Sequence, residues 1–219
     1  LRHSSAASDV YKRQEYSYWK EVLSKYRPLP VDFSSDIETT YEQTHTIQTR
    51  LSRADTASLT QEIHHAYGTE INDILLSALS KTMEGWISSS EFVIGLEGHG
   101  REELFRDVDL SRTIGWFTSL YPVCLSVPSS GTVSYEDLIS RTKDSLREIP
   151  KKGINYPILR YLSEEEIREE LSLQYEDLIF NYLGDFDHYN ASENSVLSIS
   201  NENTGEVVGL KNQNPNKIA

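Results

Sequence analysis

The sequence contains a single cysteine, Cys124, among its 219 residues, so no disulfide can form within the chain. A lone thiol is typical of proteins from a reducing compartment, and we therefore expect a cytoplasmic protein. No apolar run reaches the roughly 18 residues that a membrane helix needs. The chain does not open on a charged segment followed by an apolar one, so a secretory signal is not predicted either.

Basic residues are also scarce. The chain has 21 lysines and arginines against 34 aspartates and glutamates, which gives a net charge of −13. Such a surface repels phosphate backbones, so a nucleic-acid-binding protein is not predicted. The length suffices for one large domain or two small ones.

Both ends of the chain differ from an ordinary domain. There is no initiator methionine, and residues 1–14 show no apolar period. We interpret residues 1–14 as a non-native or adaptor-derived leader and assign residues 15–219 to the folded domain. The last residues form no closing element, so we expect that domain to be incomplete.

Helical and strand patterns alternate along the remaining sequence, which predicts an α/β fold. Helices are predicted over 15–26, 56–67, 70–86, 134–148, 156–162 and 163–173. Strands are predicted over 38–52, 91–98, 115–127, 176–186 and 195–200.

Two local patterns add detail to these elements. Thr69 is the predicted N-cap of the helix over 70–86, and Pro122 indicates an edge or a bulge in its strand. The apolar face of that helix is predicted to consist of Ile71, Leu75, Leu79 and Met83.

Residues 97–102 read EGHGRE and begin at the end of the predicted buried strand over 91–98. Gly98 and Gly100 permit a sharp turn and a close approach to a ligand. A carboxylate at the end of a buried strand loses hydration, which suits Glu97 to acid–base chemistry. Arg101 either steadies that charge or holds the loop. A salt-bridged turn without catalytic function has the same composition.

The remaining histidines and the cysteine do not form a metal-binding pattern. His45, His99 and His188 lack ligand spacing to one another and to Cys124. Cys124 lies in an apolar strand and is predicted to be a buried small side chain. No metal site is therefore expected.

The pair His64–His65 has a simple structural explanation. It falls in the last turn of a predicted helix, where a positive charge is favourable. Some acyltransferases carry an aspartate shortly after a double histidine, but here the pair is followed by AYGT.

Residues 180–187, FNYLGDFD, place Asn181 and Tyr182 at neighbouring positions of a predicted strand. Neighbouring strand residues face opposite sides, so one of the two can reach a cleft while the other packs. Ordinary strand polarity explains the same residues.

Five stretches, taken together, resemble the epimerization domains of nonribosomal peptide synthetases in order and approximate spacing. They are INDILLSAL (71–79), EGHGRE (97–102), RTIGWFTSLYP (112–122), PKKGINYPILRYL (150–162) and FNYLGDFD (180–187). The resemblance extends from about Tyr18 to the end of the chain. In PKKGINYP the chain departs from the family, which usually has glycine where Asn155 and Pro157 stand.

This resemblance implies a chloramphenicol-acetyltransferase-like lobe, in which helices cover a mixed sheet. It would be the C-terminal half of a two-lobed, V-shaped domain with a tunnel between the lobes. The N-terminal lobe, with its His-His-x-x-x-Asp motif, is missing from the sequence. We therefore expect the fragment to be inactive alone.

The activity that the resemblance implies is L-to-D epimerization in the biosynthesis of antibiotics and other secondary metabolites. The reaction takes place at the α-carbon of an aminoacyl or peptidyl thioester. The substrate is tethered to the 4′-phosphopantetheine of a peptidyl carrier protein, and no intrinsic cofactor is expected. The carrier domain, the missing lobe and the adjacent synthetase domains are the implied partners.

The resemblance also assigns roles to individual residues. Glu97 would be one acid–base group, while the second histidine of the missing motif would be the other or stabilise the enolate. Asn181 or Tyr182 would bind the enolate oxygen or help to return the proton. Arg101 matches a family position implicated in the site, and His99, Gly98 and Gly100 would bind substrate or support the loop.

Two alternatives remain within the same superfamily. The chain could belong to a condensation domain that forms peptide bonds. It could also belong to a non-catalytic platform that docks carrier proteins or tailoring enzymes.

Overall fold

A computed structural model describes residues 3–32, 40–63, 67–102, 109–127, 133–172, 175 and 177–184. The pair His64–His65, His188 and the predicted strand over 195–200 lie outside these residues.

A three-stranded sheet forms the centre of the described structure. Its strands are β1 (Glu91–Gly98), β2 (Ser119–Ser126) and β3 (Ile179–Phe180), in the order β2-β1-β3. Strand β2 is antiparallel to β1, and β3 is parallel to it. The central strand has an unbroken buried run over 92–96, as expected for a strand covered on both faces. A mixed sheet with helices was predicted and is confirmed.

Helices surround this sheet. They are α1 (His3–Ser24), α2 (Arg53–Ala57), α3 (Ile71–Met83), α4 (Tyr135–Arg147), α5 (Asn155–Leu162) and α6 (Glu165–Glu170). Short 3-10 segments cover Tyr41–Gln43 and Pro150–Gly153, and a π-helical turn, Ser58–Glu62, continues α2. The predicted helices in the described residues are present, although α1 begins twelve residues before the predicted start. None of the described helices is long and apolar enough to cross a bilayer.

An aromatic cluster ties α1 and α5 to the sheet. The Trp19 ring centroid lies 5.0 Å from that of Tyr156 and 6.1 Å from that of Tyr121. Tyr175 extends the cluster, with its ring 5.8 Å from Tyr156. Trp19, Tyr156 and Tyr175 are fully buried. The cluster therefore gives β2 a rigid backing near the end of the strand that carries Tyr121.

Helix α3 starts one residue later than predicted. Its N-cap is Glu70, whose backbone N–H donates to the Asp73 carboxylate at 2.8 Å, whereas Thr69 lies outside the helix. The predicted apolar face is only partly correct, because steps of four residues wind around a 3.6-residue helix. Met83 is buried and Leu79 packs against the core, whereas Ile71 and Leu75 are only half-buried. The buried positions are Asp73, Ile74, Leu76, Ser77, Ser80 and Met83.

Residues 40–52 correct the prediction of strands over 38–52. Only a bridge at Thr40 and a 3-10 turn are regular there, and the rest of the segment has no defined secondary structure. Residues 42–52 are all exposed. A strand needs a neighbouring strand to satisfy its backbone groups, and the described sheet has none at this segment. Alternating threonines cannot replace that partner.

Two smaller differences concern the sheet itself. The strand predicted over 176–186 is reduced to Ile179–Phe180 within the described residues. Cys124 is half-buried instead of fully buried. Pro122 agrees with its prediction, since β2 is an edge of the described sheet.

Candidate active site

A cavity of about 500 Å³ opens where β1 ends and the glycine-rich loop begins. The start of α3, the end of α4 and the turn before α5 supply its other walls. Its lining consists of Glu70, Asn72, Asp73, Leu96, Glu97, Gly98, His99, Glu102, Tyr121, Leu146, Arg147, Ile149, Lys152 and Tyr182.

The two glycines of the loop are required for different reasons. Gly100 has φ +65°, and a Cβ on it would lie 1.6 Å from the Phe117 carbonyl oxygen. A Cβ on Gly98 would lie 3.1 Å from Ser119 Oγ and 3.2 Å from Tyr121 Cε1. Gly100 therefore permits the close crossing of two backbones, and Gly98 leaves space for a neighbouring ring.

Arg101 holds the segment that precedes β2. Its guanidinium donates to the carbonyl oxygens of Leu110, Thr113 and Gly115 at 2.6, 2.9 and 3.0 Å. It also lies 4.4 Å above the Phe117 ring. The sequence left open whether Arg101 pairs with the Glu97 charge or holds the loop. The structure shows Arg101 holding the loop, through the carbonyl oxygens of residues 110–115.

Glu102 joins the loop to the turn before α5. One carboxylate oxygen lies 3.1 Å from His99 Nε2, and the other lies 3.5 Å from Lys152 Nζ. Lys152 itself has φ +52°, an unusual value for a residue with a side chain. The sequence analysis did not single out Glu102 or Lys152, although each belongs to a stretch that carries the family resemblance.

Glu97 is the penultimate residue of β1, opposite Leu120, and is half-buried in the cavity lining. It forms no ion pair with any of the described residues, in contrast to Glu102. Tyr182 lines the same cavity from beyond the end of β3 and is 37% exposed. The structure thus brings together Glu97, Gly98, His99 and Tyr182.

The other three candidate residues do not line the cavity. Arg101 and Gly100 lie behind the loop wall, where they hold its shape. Asn181 is exposed beside Tyr182 and lies outside the described lining. The expectation that one of this pair reaches a cleft therefore fits Tyr182.

Tyr121 is a further cavity residue that sequence reasoning did not single out. Its side chain is 6% exposed, and it lines the cavity from β2. Burial, with a smaller contribution from the negative charge of Glu102, raises the pKa of Tyr121 to about 12. The available signal was the position of Tyr121 opposite Leu96, one residue before Glu97, once the strands are paired.

The cavity wall is polar and carries charges of both signs. Arg147 donates to the Gly68 carbonyl at 3.2 Å and lies 4.0 Å from Asp73. In the described part of the chain, no three His, Cys, Asp or Glu residues are grouped as a metal site would require. The arrangement offers carboxylates, a neutral phenol and cations around a space large enough for an acyl group.

Comparison with known proteins identifies relatives over nearly the whole sequence. The family model for the condensation domain matches residues 2–209. The chain is 42% identical over 203 residues to a linear gramicidin synthase from Brevibacillus parabrevis, covering 90% of this chain and 2% of that protein. It is 40% identical over 198 residues to a plipastatin synthase from Bacillus subtilis, covering 87% and 8%. The chain is thus a small part of the length of these relatives.

Two solved structures are also similar to this chain. The epimerization domain from the third module of tyrocidine synthetase B matches with a TM-score of 0.68 and 38% identity, covering 78% of this chain and 38% of that one. The X-domain from teicoplanin biosynthesis matches with a TM-score of 0.55 and 21% identity, covering 74% and 33%. The second likeness supports the fold alone.

Proposed function

This chain belongs to the condensation-domain family, and within that family we propose that it is part of an epimerization domain. The reaction is inversion at the α-carbon of an aminoacyl or peptidyl thioester. The substrate arrives on the 4′-phosphopantetheine arm of a peptidyl carrier domain of the same synthetase. The similarity to a solved epimerization domain supports this choice, and so do the EGHGRE and FNYLGDFD stretches that carry the family resemblance of this sequence.

The observation that carries the proposal is the position of Glu97. Its carboxylate lies near the end of a buried central strand, in a cavity, and forms no ion pair with the described residues. Inversion requires a base that removes the α-proton and a group that returns a proton to the other face. A thioester makes the α-proton more acidic than an amide does, so a positioned carboxylate can act without an electron-sink cofactor.

The surrounding residues then have supporting roles. Arg101 and Gly100 fix the loop that carries His99 and Glu102, and the loop forms one wall of the cavity. Tyr182 lines the same cavity, and its hydroxyl group can donate a hydrogen bond to an acyl group. Missing donors and acids are expected from the upstream lobe that the family resemblance implies.

The test uses the synthetase module that contains this chain. Its carrier domain is loaded with an L-aminoacyl group, the thioester is hydrolysed after a short incubation, and the amino acid is analysed by chiral chromatography. We expect a mixture of L and D forms, and the same mixture when the D form is loaded.

Two results would contradict the proposal. Retention of the L form together with dipeptide formation would indicate a condensation domain. Retention of the L form without dipeptide formation, despite binding of the loaded carrier, would indicate a docking domain.

A further inference from the structure

Among the described tyrosines, Tyr121 alone belongs to the aromatic cluster and also lines the cavity. Its ring belongs to the aromatic cluster, 6.1 Å from Trp19, while its side chain also lines the cavity. Tyr156 and Tyr175, in the same cluster, are fully buried away from the cavity lining. Tyr121 therefore connects the rigid core to the space in which Glu97 lies.

Two glycines hold the ring in one orientation. A Cβ on Gly153 would lie 2.2 Å from Tyr121 Cδ1, so the turn before α5 packs directly on the ring. The space above Gly98 is filled by the same ring, as the 3.2 Å distance to Cε1 shows. Both glycines belong to stretches that carry the family resemblance, PKKGINYP and EGHGRE. A side chain clamped in this way loses little freedom when it binds a ligand.

The Tyr121 hydroxyl lies beside the end of β1. Its oxygen would be 3.6 Å from a Cβ on Gly98, the residue after Glu97. Within the described residues the hydroxyl makes no hydrogen bond. The raised pKa keeps the hydroxyl protonated at neutral pH, and burial strengthens any hydrogen bond that it donates.

We propose that Tyr121 is a hydrogen-bond donor to the acyl carbonyl oxygen of the thioester bound in this cavity. In the proposed epimerization, that oxygen gains negative charge when the α-proton is removed, and the donor stabilises it. No proton is transferred from Tyr121, so the phenol stays neutral throughout. The catalytic part of this inference rests on the proposed function, whereas carbonyl binding does not.

Tyr121 has a structural advantage over Tyr182 for this role. Tyr121 is 6% exposed and clamped between glycines, whereas Tyr182 is 37% exposed and lies beyond the end of β3. A buried donor stabilises a developing charge more than a solvated one does.

The first experiment measures exchange of the substrate α-hydrogen with deuterated water in the loaded module. Tyr121→Phe keeps the ring and removes only the hydroxyl. We expect the maximal exchange rate to fall by roughly 100-fold, with a smaller change in KM. Tyr156→Phe is the matched control, because it removes a buried hydroxyl from the same cluster outside the cavity lining. It should leave exchange unchanged, and thermal unfolding should show that both variants are folded.

The second experiment detects the hydrogen bond to the substrate carbonyl directly. An L-alanyl pantetheine thioester with ¹³C at its carbonyl is bound to the module, and the carbonyl stretch is followed by difference infrared spectroscopy. A hydrogen bond lowers that frequency, so we expect Tyr121→Phe to return it toward the value in an apolar solvent.

The outcomes separate the two claims. Suppose that the wild type exchanges the α-hydrogen, and that Tyr121→Phe changes neither the exchange rate nor the carbonyl frequency. This result overturns the role of Tyr121 and leaves the proposed function standing. A wild type without exchange, but with a carbonyl shift that depends on Tyr121, overturns the proposed function and supports Tyr121 as an acyl-binding residue.

Discussion

The two ends of strand β1 each carry a glutamate, but the two carboxylates have different surroundings. Glu91 lies 3.4 Å from Lys25 Nζ and accepts a weak hydrogen bond from the Cys124 thiol at 3.6 Å. Glu97 has no ion-pair partner among the described residues and faces a cavity. The same residue type on one strand is thus neutralised at one end and left available for chemistry at the other.

The backbone around the two ends differs in the same way. At the Glu91 end the antiparallel ladder continues by one further hydrogen bond, which the backbone N–H of Val127 donates to the Ser90 carbonyl at 2.8 Å. At the Glu97 end, Gly100 permits a close crossing of two backbones, and Arg101 holds three carbonyl oxygens. The positions that require a particular residue type, such as Gly100 and Arg101, therefore lie at the carboxyl end of β1.

Gly100→Ala should have the largest effect on stability. The added Cβ meets a backbone carbonyl at 1.6 Å, so the loop must move. We expect a loss of at least about 2 kcal/mol in the free energy of unfolding, and a fall of roughly 4–8 °C in the thermal midpoint. Gly85→Ala is the control, since Gly85 also has a positive φ (+85°) but no atom within 4 Å of the new Cβ. It should cost only about 1 kcal/mol, and equal losses in both variants would show that the crossing is not tight.

Arg101→Lys should loosen the loop with a smaller loss of stability. Lysine keeps the charge but cannot reach three carbonyl oxygens with a planar fork. We expect a cost of about 1–2 kcal/mol, because these contacts are partly solvated. Amide hydrogen exchange should accelerate over residues 110–117, measured by mass spectrometry. The exposed Arg112 provides the control, and Arg112→Lys should leave these amides unchanged. Equal amide protection in both variants would show that Arg101 does not hold residues 110–117.

Cys124 reports on the Glu91 end, where the smallest effect is expected. Burial, followed by the negative charge of Glu91, raises the pKa of the Cys124 thiol to about 12. Less thiolate is therefore present at pH 8, and alkylation by iodoacetamide should be at least about 100-fold slower than for an exposed cysteine. Glu91→Gln should accelerate alkylation slightly, because burial remains the larger cause. Rapid alkylation in the folded wild type would contradict the buried environment of this end.

Much of this fold was accessible from sequence because its signals are local. The strands β1 and β2 follow from two apolar runs, and Ser134 caps α4 by accepting from the Asp137 N–H at 3.1 Å. The failure over 38–52 has the opposite cause, because a strand exists only with a partner that sequence pattern does not supply. The apolar face of α3 was only partly predicted, because steps of four residues drift around a helix with 3.6 residues per turn.

In the candidate site, too, some residues could be predicted from local sequence and others only from the tertiary structure. Glu97 and its glycines were predicted from a contiguous stretch and a family resemblance. Tyr121 and Lys152 come from other stretches and reach the cavity only through strand pairing and an unusual turn, with φ +52° at Lys152. Such convergence is a property of the tertiary structure, so composition and spacing could not identify it.

The central claim is that the carboxyl end of β1 is the reactive end, and one measurement tests it directly. Exchange of the α-hydrogen with deuterated water is followed in the loaded module for the wild type, Glu97→Gln and Glu91→Gln. Both substitutions remove a negative charge from the same strand. We predict that Glu97→Gln lowers the exchange rate by roughly 10²–10⁴-fold while Glu91→Gln leaves it within about twofold of the wild type. Undiminished exchange in Glu97→Gln, or equal losses in both variants, would contradict the account.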